Sequence, residues 1–402
     1  MTEKDTPIDY CSFCNKHKDQ VKNLIIGENV AICNECITLC QDLIVENTPV
    51  EKDEIDFSKI KDPRQLKAFL DEFVIGQMSA KIVISVAVVN HYKRLQQDPE
   101  EVDAPNIEKS NVLLLGPTGS GKTLLARSVA KYLDVPFVIA DATSITEAGY
   151  VGDDVESLIG RLYAASDYNL DRCQRGIVFI DEIDKIARKT ESSNNSRDVS
   201  GEGVQQALLK LVEGTVAKVP VGGAKKQPGS EIVEIDTSNI LFIAAGAFVG
   251  LEKIIEKRTN VSGIGFNSVI IGTKDTRLED VTSEDIVKFG MIPEFVGRFP
   301  TVVTLKELTR DEMVQVLTQV RNNYISQYQW IFDQDDIRLV FDRTAIDAIV
   351  DRSIEFGTGA RALHGEVERS LMPHMYNMHN YIERKITTVN MTRELVESPQ
   401  EL

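Results

Sequence analysis

Residues Gly116, Pro117, Thr118, Gly119, Ser120, Gly121, Lys122 and Thr123 follow the spacing G-x-x-x-x-G-K-(S/T), and the chemistry of that spacing is the cradling of a nucleoside triphosphate. Glycines at 116, 119 and 121 keep the turn clear of side chains, so backbone N–H groups and the positive end of a following helix can meet phosphate oxygens. Lys122 is placed to reach the β- and γ-phosphates, and the Thr123 hydroxyl to ligate Mg²⁺. A second cluster, Ile177-Val178-Phe179-Ile180-Asp181-Glu182, is an apolar run ending in two carboxylates. Asp181 suits the Mg²⁺ shell and Glu182 suits orienting and polarising a water molecule. A third cluster is of a different kind: Cys11-x₂-Cys14 and Cys33-x₂-Cys36, separated by 18 residues, the spacing of a four-thiolate zinc site. The alternative is a pair of reactive dithiols, or ordinary thiols. Cys40, four residues after Cys36, shares its helical face and is expected as a buried apolar neighbour, or else as a competing ligand.

Positioning the phosphate-binding residues requires a strand before the loop and a helix after it. Val112 to Leu115 supplies the first and residues 123–132 the second. Further apolar runs at 135–140, 177–180 and 240–244 alternate with helical stretches, so the expected fold is α/β, a parallel sheet covered by helices. Beyond residue 306 helical periodicity takes over, starting with a capping box at Thr309 and Glu312. The domains expected are a zinc-binding module over 1–48, an acidic linker over 49–62, a large nucleotide-binding domain over 63–305, and a smaller, mainly helical domain with a tail over 306–402. The net charge of −17 over 402 residues weighs against nucleic acid as a partner. The apolar run 82–89 is too short to span a bilayer and the first residues lack a signal-peptide core, so a cytoplasmic protein without a membrane partner is expected.

Taken together, Gly116 to Thr123, the stretch Ile180-Asp181-Glu182-Ile183-Asp184-Lys185 and the four-cysteine module resemble the ClpX family of AAA+ protein unfoldases, over residues 10–371. The resemblance implies ATP, Mg²⁺ and Zn²⁺ as ligands, and a six-membered homo-oligomeric ring that unfolds proteins and threads them through an axial pore. It assigns Val74 and Ile75, before Gly76 and Gln77, to the adenine base, and adds Leu124 to the nucleotide contacts. Tyr150 and Val151, between Gly149 and Gly152, correspond to the pore loop that grips polypeptide; residues 188–201 resemble a second pore loop. Residues 222–227 keep two lysines but not the Arg-Lys-His tripeptide of the family's third axial loop. Ile264-Gly265-Phe266 resembles the tip that docks on the ClpP peptidase. Arg298 matches an arginine finger acting on a neighbour's nucleotide, and Arg361 matches the sensor-2 arginine. The family's following Gly-Leu-Arg is here Ala362-Leu363-His364. Tagged or unfolded proteins, adaptors and ClpP are the implied partners, with stand-alone remodelling as a further role. The alternative is an AAA+ motor acting on nucleic acid, which the acidic charge and Tyr150 oppose.

Overall fold

A computed structural model describes residues 9–27, 30–47, 60–97, 107–146, 153–188, 201–220, 232–260 and 278–398. Tyr150, Val151, the tip 264–266 and the axial-loop residues 189–200 and 222–227 lie outside them. The chain divides into two compact units, Met1–Glu54 and Ile55–Leu402.

In the first unit, β1 (Leu24–Ile26) pairs antiparallel with β2 (Ala31–Cys33), and α1 (Asn34–Asn47) follows directly. Among the described residues its buried cluster is Cys11, Cys33 and Cys36, with Val21, Leu24 and Ile32 packed partly against them. A unit of this size buries too little surface to be stable on a core alone, and a cross-linking ion is the physical remedy. Cys40 is half-buried and stands apart from the four-sulfur cluster, so neither expected role is filled cleanly.

The second unit begins with α2 (Pro63–Phe73), capped by the Asp62 side chain, and α3 (Met78–Arg94). Next come β3 (Val112–Leu115), α4 (Lys122–Leu133), β4 (Phe137–Asp141), β5 (Ile177–Asp181), α5 (Glu202–Glu213), β6 (Leu241–Gly246) and β7 (Thr301–Thr304). The five strands form one sheet in the order β7-β3-β6-β5-β4, and every pairing is parallel. Both faces are buried, as the continuous apolar strands require. Leu113, Leu115, Val178, Ile180, Phe242 and Ala244 pack on one side, and Val112, Leu114, Ile177, Phe179, Leu241 and Ile243 on the other.

Two departures from expectation have local causes. The second strand starts at Phe137 rather than 135, because the Val135 N–H turns back to the Ala130 carbonyl and Pro136 has no N–H to give. The fifth strand, Thr301–Thr304, is short and half-buried at the sheet edge, where its alternation is too brief to register as a pattern.

The C-terminal part is mostly helical. Helices α6 (Arg310–Thr318), α7 (Tyr324–Asp333), α8 (Arg343–Glu355) and α9 (Arg361–Tyr376) enclose Met313, Leu317, Phe332, Ile349, Leu363 and Val367. A two-stranded parallel pair, β8 (Arg338–Phe341) with β9 (Thr388–Met391), completes it. The capping box is present: the Thr309 N–H donates to the Glu312 carboxylate at 2.8 Å and the Glu312 N–H to the Thr309 hydroxyl at 3.3 Å. No helix among the described residues is long and apolar enough to cross a membrane.

Candidate nucleotide site and four-cysteine cluster

Parallel pairing of β3, β6 and β5 brings the ends of the three central strands side by side, which is where α/β sheets bind ligands. Gly116 leaves β3 and its N–H donates to the Gly246 carbonyl at the end of β6. The chain then turns through Gly119 and Gly121, both with left-handed backbone (φ +80° and +97°), and Lys122 opens α4. The Lys122 ammonium folds back on the loop, donating to the carbonyls of Gly116 (2.7 Å) and Pro117 (2.9 Å). Burial lowers its pKa, while the carboxylate of Asp181 works in the opposite direction. A buried cation whose hydrogen bonds among the described residues go to two carbonyls favours an anion, so the lysine fits a phosphate. The Ser120 hydroxyl is buried without a hydrogen-bond partner among the described residues, a second polar group that a ligand would satisfy.

Thr123 and Asp181, far apart in sequence, meet at the cleft: the Thr123 hydroxyl donates to Asp181 Oδ2 at 3.0 Å. A hydroxyl beside a carboxylate is a hard-oxygen pair of the kind that Mg²⁺ takes. The other Asp181 oxygen accepts the Glu182 N–H at 3.0 Å. Glu182 itself holds a left-handed conformation (φ 56°), uncommon for a residue with a Cβ, and is exposed on the cleft wall. Asp184 is buried and its Oδ1 accepts the Ala247 N–H at 3.1 Å, tying the turn after β5 to the end of β6.

The cleft has two lobes, of about 510 and 530 Å³, that share Gly119, Gly121, Leu124, Tyr324 and Ala360. Phe73, Val74, Ile75, Leu308, Val316 and Val320 line the first, an apolar wall suited to a flat base. Lys122, Thr123, Asp181, Glu182, Asp184 and Arg361 line the second. Val74 is held from behind: buried Lys81 donates to its carbonyl at 2.6 Å and pairs with Asp71 at 2.7 Å. Gln77 fastens the same segment to the exit of β7, donating to the Lys306 carbonyl at 2.7 Å and accepting its N–H at 3.0 Å. The first lobe is closed by the C-terminal part, where the Arg321 N–H donates to the Glu72 carbonyl at 2.8 Å and the guanidinium pairs with the Glu72 carboxylate at 2.9 Å.

Arg298 stands apart from the residues just described. It lines neither lobe, and its guanidinium pairs with Glu213 of α5 at 2.8 Å. Asp184, Tyr324 and Ala360 carry no assignment from the sequence. Asp184 lies inside the quoted acidic stretch and could have been singled out there. Ala360 precedes Arg361, whose resemblance to the sensor-2 arginine already points to the nucleotide, whereas nothing in the chain around Tyr324 announces that it meets a loop some two hundred residues earlier.

In the first unit, the sulfurs of Cys11, Cys14, Cys33 and Cys36 all lie within 4.8 Å of one another. Cys11 and Cys36 are 3.8 Å apart, Cys14 and Cys33 3.6 Å. A tetrahedral zinc with Zn–S of about 2.3 Å sets its sulfurs about 3.8 Å apart, whereas a disulfide needs about 2 Å, so the cluster fits an ion and not a bridge. The Cys33 N–H points to Cys11 Sγ (3.3 Å) and the Cys36 N–H to Cys33 Sγ (3.4 Å), the backbone support that thiolate ligands use.

Three family models match the chain: the AAA domain of the Cdc48 subfamily over residues 107–302, the ClpX C4-type zinc finger over 9–46, and the C-terminal D2-small domain of ClpB protein over 308–391. The first spans the phosphate loop and both carboxylates, the second all four clustered cysteines, and the third most of the helical part that supplies Tyr324 and Arg361.

Proposed function

From a chain that is a ClpX-like AAA+ ATPase with an N-terminal zinc module, we propose a ring-forming motor that spends ATP hydrolysis on unfolding proteins and passing them to the ClpP peptidase. One observation carries the ring. The cleft gathers from a single protomer a phosphate-binding lysine, a hydroxyl–carboxylate pair and a carboxylate for water, while Arg298 lies outside it against Glu213. For Arg298 to meet the charge that grows on a transferred phosphoryl group, it must serve a neighbour's nucleotide. Head-to-tail contacts of this sort close into rings, and we read six subunits here. Exposed apolar side chains support such contacts: Met78, Ile82 and Val86 form a stripe along α3, and Trp330, Phe356 and Tyr376 protrude from the C-terminal part.

In this reading Lys122 releases the carbonyls of Gly116 and Pro117 to take the β- and γ-phosphates. Mg²⁺, held by Thr123 and Asp181, supplies charge neutralisation across the phosphates when bound. Glu182 orients the attacking water. Arg361, at the first position of α9, senses the phosphate lobe from the C-terminal part, so a change of nucleotide changes the angle between the two parts. Tyr150 and Val151 then grip and move polypeptide, Ile264-Gly265-Phe266 dock on the peptidase, and the zinc module recruits substrates or adaptors. The protein acts in the cytoplasm.

The test is loss of fluorescence from a stably folded, terminally tagged reporter, with ATP and with or without ClpP. Unfolding without the peptidase and degradation with it are expected; replacing residues 264–266 by polar ones should abolish degradation alone. ATPase activity stimulated by DNA, with no unfolding, would point to the nucleic-acid motor instead.

A further inference from the structure

Tyr324 sits where the two lobes of the cleft meet, lining both. It is the first residue of α7, whose start is fixed by Asn323, the side chain of which accepts the Ser326 N–H at 2.9 Å. Its ring lies 4.9 Å from the ring of His364, at 43° to it, and His364 in turn stacks on Tyr328 at 6.3 Å and 25°. Tyr328 is buried in the C-terminal core, so the stack is anchored at one end and open to the cleft at the other. His364 stands in the first turn of α9, three residues after Arg361 and therefore on the same side of that helix. It occupies the place where the family resemblance leads one to expect arginine.

We propose that Tyr324 is a nucleoside-contacting residue of this ATPase and that His364 is its positioning residue, so that the helix carrying Arg361 also braces the wall of the nucleoside lobe. The inference rests on the reading of the cleft as a nucleotide site. An aromatic ring held at the junction of an apolar and a polar lobe meets the part of a nucleotide that joins base to phosphate. A flat side chain there contributes by packing its face on the sugar and the near edge of the base, which any base tolerates. His364 is exposed and lines neither lobe, and its ring meets that of Tyr324, so its contribution passes through the tyrosine ring.

The experiment compares equilibrium binding of Mg-ADP with that of Mg-pyrophosphate, which lacks base and ribose, on the full chain by calorimetry. Tyr324→Ala should weaken ADP about tenfold or more while pyrophosphate stays within about twofold, and Tyr324→Phe should restore ADP binding. His364→Ala should weaken ADP less than Tyr324→Ala does, and adding it to Tyr324→Ala should change nothing further, the non-additivity expected of a residue acting through its neighbour. Retained pyrophosphate binding reports that the loop is folded in every variant. Unchanged ADP affinity in Tyr324→Ala, or equal losses for both ligands, overturns the inference. Failure of the unaltered chain to bind either ligand overturns the nucleotide reading instead.

Discussion

Gly119 and Gly359 touch across the cleft, one in the phosphate loop and one in the turn before α9, and this contact makes a sharp prediction. A Cβ built on Gly119 overlaps the Thr358 carbonyl oxygen and lies 3.1 Å from the Ala360 nitrogen and the Gly359 Cα. All three are backbone atoms, so no side chain can swing aside. Gly121, two residues on, has a comparable left-handed backbone (φ +97° against +80°) but nothing within 4 Å of its would-be Cβ. The two positions form a matched pair. Alanine at either costs about 1–2 kcal/mol from its left-handed backbone. Alanine at 119 adds an overpacking cost of about 1–3 kcal/mol, because the C-terminal part must back away from the loop. Urea denaturation of the nucleotide-free chain, followed by far-UV circular dichroism, should therefore show Gly119→Ala destabilised beyond Gly121→Ala by about 1–3 kcal/mol. Equal midpoints for the two variants would refute the claim that the loop and the α9 turn are in contact before nucleotide binds.

Glu182→Gln should leave ATP affinity within about threefold while turnover falls by about two orders of magnitude or more, since the side chain keeps its shape and loses its basicity; a nucleotide-binding assay beside steady-state phosphate release measures both. Cys14→Ser should abolish zinc binding by the four-cysteine cluster, read by metal analysis, and expose 9–47 to proteolysis, while ATPase activity persists. Acid sensitivity should have a component from His91, whose ring is buried beside Arg94 and Lys109 with Nε2 3.1 Å from the Asn239 carbonyl. Burial first, and then those two cations, push its pKa down from 6.5 to about 3. Between those values the unfolded chain takes a proton that the folded chain refuses, so His91 lowers stability by about 1.4 kcal/mol per pH unit as pH falls, and contributes nothing above that window. His91→Gln should flatten that part of the stability–pH curve; an unchanged slope would show that the ring is protonated in the fold.

The chemistry spelled out in contiguous residues was legible from the chain alone. A glycine-rich turn between an aliphatic run and a helix, a strand ending in Asp181-Glu182, and two Cys-x₂-Cys pairs each carry their ligand geometry within a few residues, so local stereochemistry is enough to read them. The same holds for the central strands, whose continuous apolar runs require burial on both faces. What the tertiary structure decided is which distant groups complete the site. Sheet order sets Thr123 against Asp181; packing of the helical part brings Tyr324, Ala360 and Arg361 to a loop some two hundred residues earlier and presses Gly359 on Gly119. It also puts Arg298 on Glu213 and away from the cleft, and leaves Cys40 half-buried. The motifs place Thr123 and Asp181 on one Mg²⁺, and the resemblance places Arg361 at the nucleotide; the approach of Tyr324 and Ala360, the Gly119–Gly359 contact and the Arg298–Glu213 pair have no periodicity or spacing to announce them, because each is the sum of many weak packing preferences that act only once the chain is compact.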